Sequence, residues 1–284
     1  MAIPIGAITD EFSLDLDTAL DAMSSVGMTI AELRLIGDRN IIDLSDDEIR
    51  RVRTQVEKRG LTILSIASPV LKCVLPDAPP LDERFQQDVF GSAYTIADQP
   101  RLTARAIQIA EATGAKFIRV FSYWRTIAPE QCHDRIISAL RELADRAGER
   151  GLVIGLENEH ACNVATGAEA GRILNALDHP ALMSIWDPAN AFLLGETPFP
   201  DGYSKLPARR VGHVHAKDCV ITDQKATWGP LGKMDVDWRG QIAALKRDGY
   251  GGAISLETHW RGDDGDRLKA SLVCGENLRE LVAT

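Results

Sequence analysis

The sequence lacks the features that mark membrane, nucleic-acid-binding or disulfide-stabilised proteins. No apolar run approaches the roughly 18 residues that a membrane-spanning helix needs. Basic residues are in the minority, with 32 Lys and Arg against 41 Asp and Glu, so no surface for nucleic acid or an anionic membrane is expected. The first residues, MAIPIGAITDEF, contain no basic stretch, so no signal peptide is expected. The five cysteines lie far apart without a C-x-x-C pair, which favours reduced thiols in a cytoplasmic protein.

Short apolar runs alternate along the chain with longer amphipathic stretches. An apolar content of 45% in 284 residues is enough for one large core. Runs rich in β-branched residues predict strands, and 3.6-residue periodicity predicts helices. Eight strands are predicted at 3–8, 30–35, 61–66, 117–121, 152–156, 182–186, 211–216 and 253–257. Helices are predicted at 45–59, 101–113, 129–150, 166–177, 237–248 and 266–282.

Eight strands, each followed by a helix or a long loop, predict a (β/α)8 TIM barrel as a single domain over residues 1–284. A doubly wound open sheet would need fewer strands and a glycine-rich first turn, and the first turn, ITDEFS, contains no glycine. The longest irregular segment, 67–100, carries five prolines and follows the third strand. Loops after barrel strands lie at the active face, so this segment is expected to cover the site.

The ends of the last four predicted strands carry residue types that bind metals. GLENEH places Glu157 at a strand end, WDPAN places Asp187, HVHAKD places His215 and ISLETHW places Glu257. In a barrel these ends are neighbours on one rim, where three buried carboxylates would repel one another. A divalent cation removes that repulsion, and three oxygens with one imidazole suit Mn²⁺, Mg²⁺, Co²⁺ or Fe²⁺. His213 faces the same way as His215 and is expected one layer deeper. Taken singly, each residue also fits a loop, a turn or the core, so the prediction depends on the four together.

The same motifs resemble those of a known family. GLENEH is similar to a strand-five Glu motif, WDPAN to a D-P-x-N motif, HVHAKD to an H-x-K-D motif and GYGGAISLETHW to a final G-Y-x-G-x-x-x-x-E segment. Together they are typical of the sugar phosphate isomerase/epimerase superfamily, the xylose isomerase-like TIM barrels, and the resemblance covers nearly the whole chain. It implies one divalent metal ion, Mn²⁺ in the first place, and a homo-oligomer, dimeric or tetrameric. The implied ligands are Glu157, Asp187, His215 and Glu257, of which Glu157 and Glu257 also act as acid and base.

The substrate-binding residues follow the family less closely. Ketose 3-epimerases carry His, Glu and Arg where this chain has Asn190, Asn163 and Ile221, so their substrate shell does not carry over. The substrate-binding residues are predicted to be Asn190, Arg125, His160, Lys217 and His259. For three of them another role is also open: rim packing for Arg125, a plain salt bridge for Lys217 and a solvated loop position for His160.

Such a site predicts proton abstraction α to a carbonyl, followed by an enediolate. Return of the proton on the other face gives epimerisation, and return to the neighbouring carbon gives isomerisation. The first expectation is therefore a metal-dependent isomerase or epimerase of a keto-sugar or polyol ketone. The alternative is a metal-dependent lyase, which either acts like an inosose dehydratase or carries out elimination from a 3-keto-glycoside. Such a lyase could act alone or as the catalytic subunit of a hetero-complex. A repair nuclease of the endonuclease IV branch is disfavoured by the acidic balance and by only six histidines. A non-catalytic sugar-binding barrel is disfavoured because all four ligands are present.

Overall fold

The computed structural model describes residues 3–85, 94–223 and 225–284. Within them, eight parallel strands close into a barrel in the order β1-β8-β7-β6-β5-β4-β3-β2. This confirms the predicted TIM barrel. The barrel strands are β1 (Ile5–Ile8), β2 (Ile30–Leu33), β3 (Thr62–Val70), β4 (Phe117–Val120), β5 (Val153–Glu157), β6 (Leu182–Trp186), β7 (Val211–Ala216) and β8 (Ile254–Leu256).

Helices surround the barrel, and their apolar faces pack on the strands. All six predicted helices are present, and the structure adds a helix after β1 and two short ones after β6. The helix after β1 was missed although its buried Leu16, Ala19, Leu20 and Met23 have helical spacing. The helices are α1 (Leu16–Ser25), α2 (Asp46–Lys58), α3 (Gln99–Thr113), α4 (His133–Gly148), α5 (Gly167–Ala176), α6 (Pro188–Leu193), α7 (Tyr203–Lys205), α8 (Trp238–Arg247) and α9 (Arg267–Ala283).

Local sequence signals set several helix ends. Ser45 and Glu48 form a capping box at the start of α2, in which Ser45 N–H donates to Glu48 Oε2 at 2.8 Å. Gly114 ends α3 with φ of 77°, a left-handed conformation that glycine adopts without steric cost. The predicted helix 129–150 starts later than expected, because Pro129–Cys132 form a 3₁₀ turn before α4.

The segment predicted as irregular, 67–100, is partly regular. Strand β3 continues to Val70, short 3₁₀ helices occupy Glu83–Phe85 and Ile96–Asp98, and α3 begins at Gln99. Residues 86–93 of this segment lie outside the described residues.

Strand pairing places the four predicted ligand positions side by side. Strand β5 pairs with β6, β6 with β7 and β7 with β8, all in parallel. Two hairpins follow strands at the same end of the barrel, Leu35–Ile36 with Arg39–Asn40 after β2, and Cys219–Thr222 with Lys225–Trp228 after β7. No helix among the described residues is long and apolar enough to cross a membrane.

Candidate metal centre

The structure brings together the four residues predicted to bind a metal. Glu157, Asp187, His215 and Glu257 are all buried, and each offers one ligand atom within 4.8 Å of the other three. His215 Nδ1 lies 3.0 Å from Glu157 Oε1 and 3.5 Å from Glu257 Oε2. One imidazole nitrogen and three carboxylates therefore face the same small volume at the carboxyl end of the barrel.

Asn158, in the GLENEH motif, ties two of the ligand-bearing strand ends together. Its Nδ2 donates to the carbonyl oxygen of Asp187 at 2.8 Å, and its Oδ1 accepts from the Asp187 N–H at 2.8 Å. Asp187 in turn caps α6, because its Oδ1 accepts from the Asn190 N–H at 3.0 Å. The backbone at Asp187 is thus fixed on both sides, which leaves its Oδ2 directed toward the cluster.

Two buried cations lie against the carboxylate of Glu257. Arg34 Nη1 lies 2.9 Å from Glu257 Oε1, and Lys217 Nζ lies 2.9 Å from Glu257 Oε2. Lys217 Nζ also lies 2.8 Å from Asp187 Oδ2. Both oxygens of Glu257 are therefore paired with protein cations.

The carboxylate of Glu157 is less completely satisfied. Its Oε2 lies 3.2 Å from Arg119 Nη1, yet no donor is aligned to hydrogen-bond with that oxygen. Asp187 Oδ2 is likewise buried without an aligned donor, although Lys217 lies close to it. Leaving a buried polar atom without a hydrogen bond costs about 1–3 kcal/mol, more for a charged group. Two buried carboxylate oxygens that lack an aligned donor, beside an imidazole, fit a divalent cation that prefers oxygen ligands.

The pKa values of the cluster follow from crowding of charges in a buried space. From the protein's own groups alone, burial and repulsion by Glu257 and Glu157 raise the pKa of Asp187 to about 6, against the pull of Lys217. Burial alone would raise the pKa of Glu257, but Lys217 and His215 outweigh it and hold that pKa well below its usual value. Burial alone would lower the pKa of His215, but Glu157 and Glu32 raise it well above the ordinary value.

A further buried group lies on the other side of His215. Glu32 Oε1 is 3.2 Å from His215 Nε2 and 2.7 Å from His213 Nε2, and none of the three side chains is exposed to solvent. His213 thus contacts Glu32 in the deeper layer where it was expected. Burial would raise the pKa of Glu32, but the two histidines lower it well below its usual value.

Comparison with known proteins places this arrangement in a family. The profile of the xylose isomerase-like TIM barrel family matches residues 20–278. The chain belongs to the xylose isomerase-like TIM barrel family. This confirms the resemblance found in its motifs. A search of curated proteins gives no significant match.

Solved structures of several xylose isomerase-like barrels are similar to this chain. A D-allulose 3-epimerase from Methylomonas sp. is 19% identical with a TM-score of 0.71, covering 99% of this chain and 100% of that one. A 3-keto-D-glucoside 4-epimerase from E. coli is 16% identical with a TM-score of 0.66, covering 99% and 100%. A xylose isomerase-like TIM barrel/4-hydroxyphenylpyruvate dioxygenase fusion protein is 21% identical with a TM-score of 0.70. The match covers 98% of this chain but only 42% of the fusion protein. At these identities the likeness establishes the fold.

Three of the predicted substrate-binding residues lie beside the cluster in this family member. Lys217 contacts two of the four ligands, as described above. His160 Nδ1 lies 2.6 Å from Glu159 Oε1 and 3.0 Å from Asn190 Oδ1. The side chains of Glu159 and His160 are 12% and 24% exposed, which argues against freely solvated loop positions. Burial would lower the pKa of His160, but the adjacent Glu159 raises it.

His259 lies on the other side of the site, next to an aromatic ring. Its ring centroid is 4.8 Å from that of Trp228, which the hairpin after β7 supplies. His259 has φ of 55°, an uncommon conformation for a residue other than glycine, and its N–H donates to Glu11 Oε2 at 3.4 Å. Burial and repulsion by Lys217 lower the pKa of His259 to about 3. The imidazole is therefore neutral near neutral pH.

Arg125 is engaged on the rim of the barrel. Its Nη2 lies 3.0 Å from Glu169 Oε1, and its Nη1 donates to the Cys162 carbonyl oxygen at 3.2 Å. Glu169 belongs to the capping box of α5, so Arg125 links the loop after β4 to that helix. The substrate-binding role of Arg125 stays a prediction, and rim packing describes its observed contacts.

Five buried charged residues of this site were not predicted from the sequence. Each lies in or just after a barrel strand, and the signal that could have identified them is a charge inside an apolar run, as in IAELRL and FIRVF. A charge that faces a barrel interior must be paired or bound to a ligand. The five residues are Asp10, Glu11, Glu32, Arg34 and Arg119.

Proposed function

We propose that this protein is a divalent-metal-dependent isomerase or epimerase of a keto-sugar or polyol ketone, removing the proton α to a carbonyl. The observation that supports this most directly is the convergence of Glu157, Asp187, His215 and Glu257 at one point, where two carboxylate oxygens are buried without an aligned hydrogen-bond donor. These four residues would hold one divalent ion, Mn²⁺ in the first place and Mg²⁺, Co²⁺ or Fe²⁺ otherwise.

A divalent ion supplies Lewis-acid stabilisation of the negative charge that develops on the substrate oxygens. Glu157 and Glu257 act as the acid and base on the two faces of the substrate. Lys217, as a buried ammonium, donates a hydrogen bond to a substrate oxygen and so adds to charge stabilisation. Asn190, His160, His259 and Arg125 orient the hydroxyl groups of the substrate.

A lyase is the second candidate, and Asn163 favours it over a ketose 3-epimerase. The Asn163 Oδ1 accepts from the Thr126 N–H at 3.0 Å, and its Nδ2 donates to the carbonyl oxygens of Ser122 and Trp124. The amide at this position is thus committed to the loop, whereas ketose 3-epimerases are expected to offer a substrate-binding Glu. Elimination from a 3-keto-glycoside, or an inosose dehydratase-like reaction, would use the same first proton transfer, alone or with a partner subunit.

The test is proton NMR in D₂O with the Mn²⁺-loaded protein. The panel contains ketoses, inososes and 3-keto-glycosides, and a chelator-treated sample is the control. Metal-dependent deuterium entry α to a carbonyl is expected, and the product separates epimerisation, isomerisation and elimination. Absence of exchange across the panel, with metal shown to be bound, would contradict the isomerase proposal. A cytoplasmic location and a dimer or tetramer stay predictions.

A further inference from the structure

Glu32 is the charged group that faces His215 from the interior of the barrel. It lies on β2, while His215 lies on β7, 183 positions away in sequence. Both carboxylate oxygens of Glu32 lie near His215 Nε2, Oε1 at 3.2 Å and Oε2 at 3.5 Å. The side chains of Glu32 and His215 are fully buried, so no solvent competes for this contact.

The two nitrogens of the His215 ring face different groups. Nδ1 faces the carboxylates of Glu157 and Glu257, and Nε2 faces Glu32. A carboxylate accepts hydrogen bonds and cannot donate them when ionised, so Glu32 requires the proton of His215 on Nε2. Without a metal ion, the carboxylates at Nδ1 favour a proton there as well. When a divalent ion displaces that proton, Glu32 keeps the remaining one on Nε2, and the lone pair of the neutral ring is then on Nδ1, as a metal ligand needs.

We propose that Glu32 is a positioning residue of the metal centre, holding the Nε2–H of His215 so that Nδ1 faces the three carboxylates. This inference rests on the proposed function, since it takes the four-residue cluster to bind a divalent ion. A hydrogen bond of this kind also increases the basicity of the ligating nitrogen, and removing such a partner usually costs about 10–100-fold in metal affinity.

His213 provides the control that separates positioning from a structural role. Glu32 also accepts from His213 Nε2 at 2.7 Å, and that pair alone could account for a buried Glu32. Replacing Glu32 by Gln or replacing His213 by Gln disrupts the same buried pair, so both variants should lose stability. Both variants change the surroundings of His215, because the His213 ring lies edge-on to it with centroids 5.4 Å apart. Only the Glu32 substitution removes the carboxylate that faces Nε2, and an amide, which offers both a donor and an acceptor, no longer selects one tautomer.

The experiment is Mn²⁺ binding to the chelator-treated full-length protein, followed by the EPR signal of free Mn²⁺. We expect Glu32→Gln to raise the Kd for Mn²⁺ by about 10–100-fold, while His213→Gln changes it by less than about threefold. If Glu32→Gln does not fold, Glu32→Asp, which withdraws the carboxylate by one methylene, is expected to weaken binding in the same direction.

Other outcomes overturn the inference in distinguishable ways. If the wild type and Glu32→Gln bind Mn²⁺ with equal affinity, the metal site does not depend on Glu32 and the positioning role is wrong. Equal losses in Glu32→Gln and His213→Gln assign Glu32 a structural role only. Two bound ions in the wild type and one in Glu32→Gln make Glu32 a ligand of a second site with His213. A wild type that binds none of Mn²⁺, Mg²⁺, Co²⁺ and Fe²⁺, as measured by elemental analysis, removes the proposed metal-dependent function itself, and the inference with it.

Discussion

Replacing Asp187 by Asn should stabilise the protein in the absence of metal. Asp187 is buried among Glu157 and Glu257, which raises its pKa from 3.8 to about 6 in the folded chain. Between pH 3.8 and about 6, Asp187 is largely ionised in the unfolded chain but still largely protonated in the folded one. The folded state therefore loses stability as the pH rises through this range. Asn is uncharged, has the same shape and can still cap α6 through its side-chain oxygen.

The size of the effect follows from the two pKa values. The pKa values of Asp187 in the folded and unfolded chain differ by about two units, and one unit corresponds to about 1.4 kcal/mol. Ionised Asp187 therefore costs the folded protein about 3 kcal/mol. This cost is absent below about pH 4, grows between pH 4 and 6, and is complete above pH 6. The variant should therefore match the wild type at pH 4 and exceed its free energy of unfolding by about 3 kcal/mol at pH 7.

Urea unfolding of both proteins between pH 4 and 8, in the presence of a chelator, measures this difference. Groups distant from Asp187 cancel when the two proteins are compared. Mn²⁺ at 100 times its Kd should then add about 2.7 kcal/mol to the wild type and much less to Asp187→Asn, because a ligand is lost. A difference that does not change with pH, or a wild type more stable than the variant at pH 7 without metal, would refute the reasoning.

Three further predictions concern the same cluster. Glu157→Gln and Glu257→Gln should each abolish deuterium exchange α to the substrate carbonyl with an unchanged circular dichroism spectrum, and near-normal exchange in either variant would remove that residue's acid/base role. His215→Ala should lower bound Mn²⁺, measured by elemental analysis, far more than His213→Ala, and equal losses would contradict the choice of His215 as the ligand. Arg34→Met should lower the free energy of unfolding at pH 7 by about 3–5 kcal/mol, because it leaves buried carboxylates without their cation, and a loss below about 1 kcal/mol would show that the carboxylates are satisfied by other groups.

The barrel and its four ligand positions were predictable because both depend on local patterns. Apolar runs mark the strands, and a parallel barrel places all their carboxyl ends on one rim, so Glu157 and Glu257 could be brought together without coordinates. Helix α6 was not predicted, since its six residues are too few for periodicity to show. The start of α4 was misplaced because Pro129 begins a 3₁₀ turn, which has the same sequence signal as a helix start.

The contacts of the buried charged residues Arg34 and Glu32 could not be predicted in the same way, because their partners are distant in sequence. Arg34 contacts Glu257 from 223 positions away, and Glu32 contacts His213 from 181 positions away. In the sequence, Arg34 and Glu32 are two charged residues inside a short apolar strand. Only closure of the barrel shows that both face its interior, where each must find a charged partner.

Buried cations reduce the repulsion that three carboxylates on one rim would otherwise have. Arg34 and Lys217 pair with both oxygens of Glu257, so repulsion alone does not require a metal there. Glu157 Oε2 and Asp187 Oδ2 are buried without an aligned donor, although Arg119 lies 3.2 Å from the first and Lys217 lies 2.8 Å from the second. A divalent ion held by Glu157, Asp187, His215 and Glu257 would supply the missing partner for these two oxygens, and Arg34 could stay paired with Glu257 Oε1.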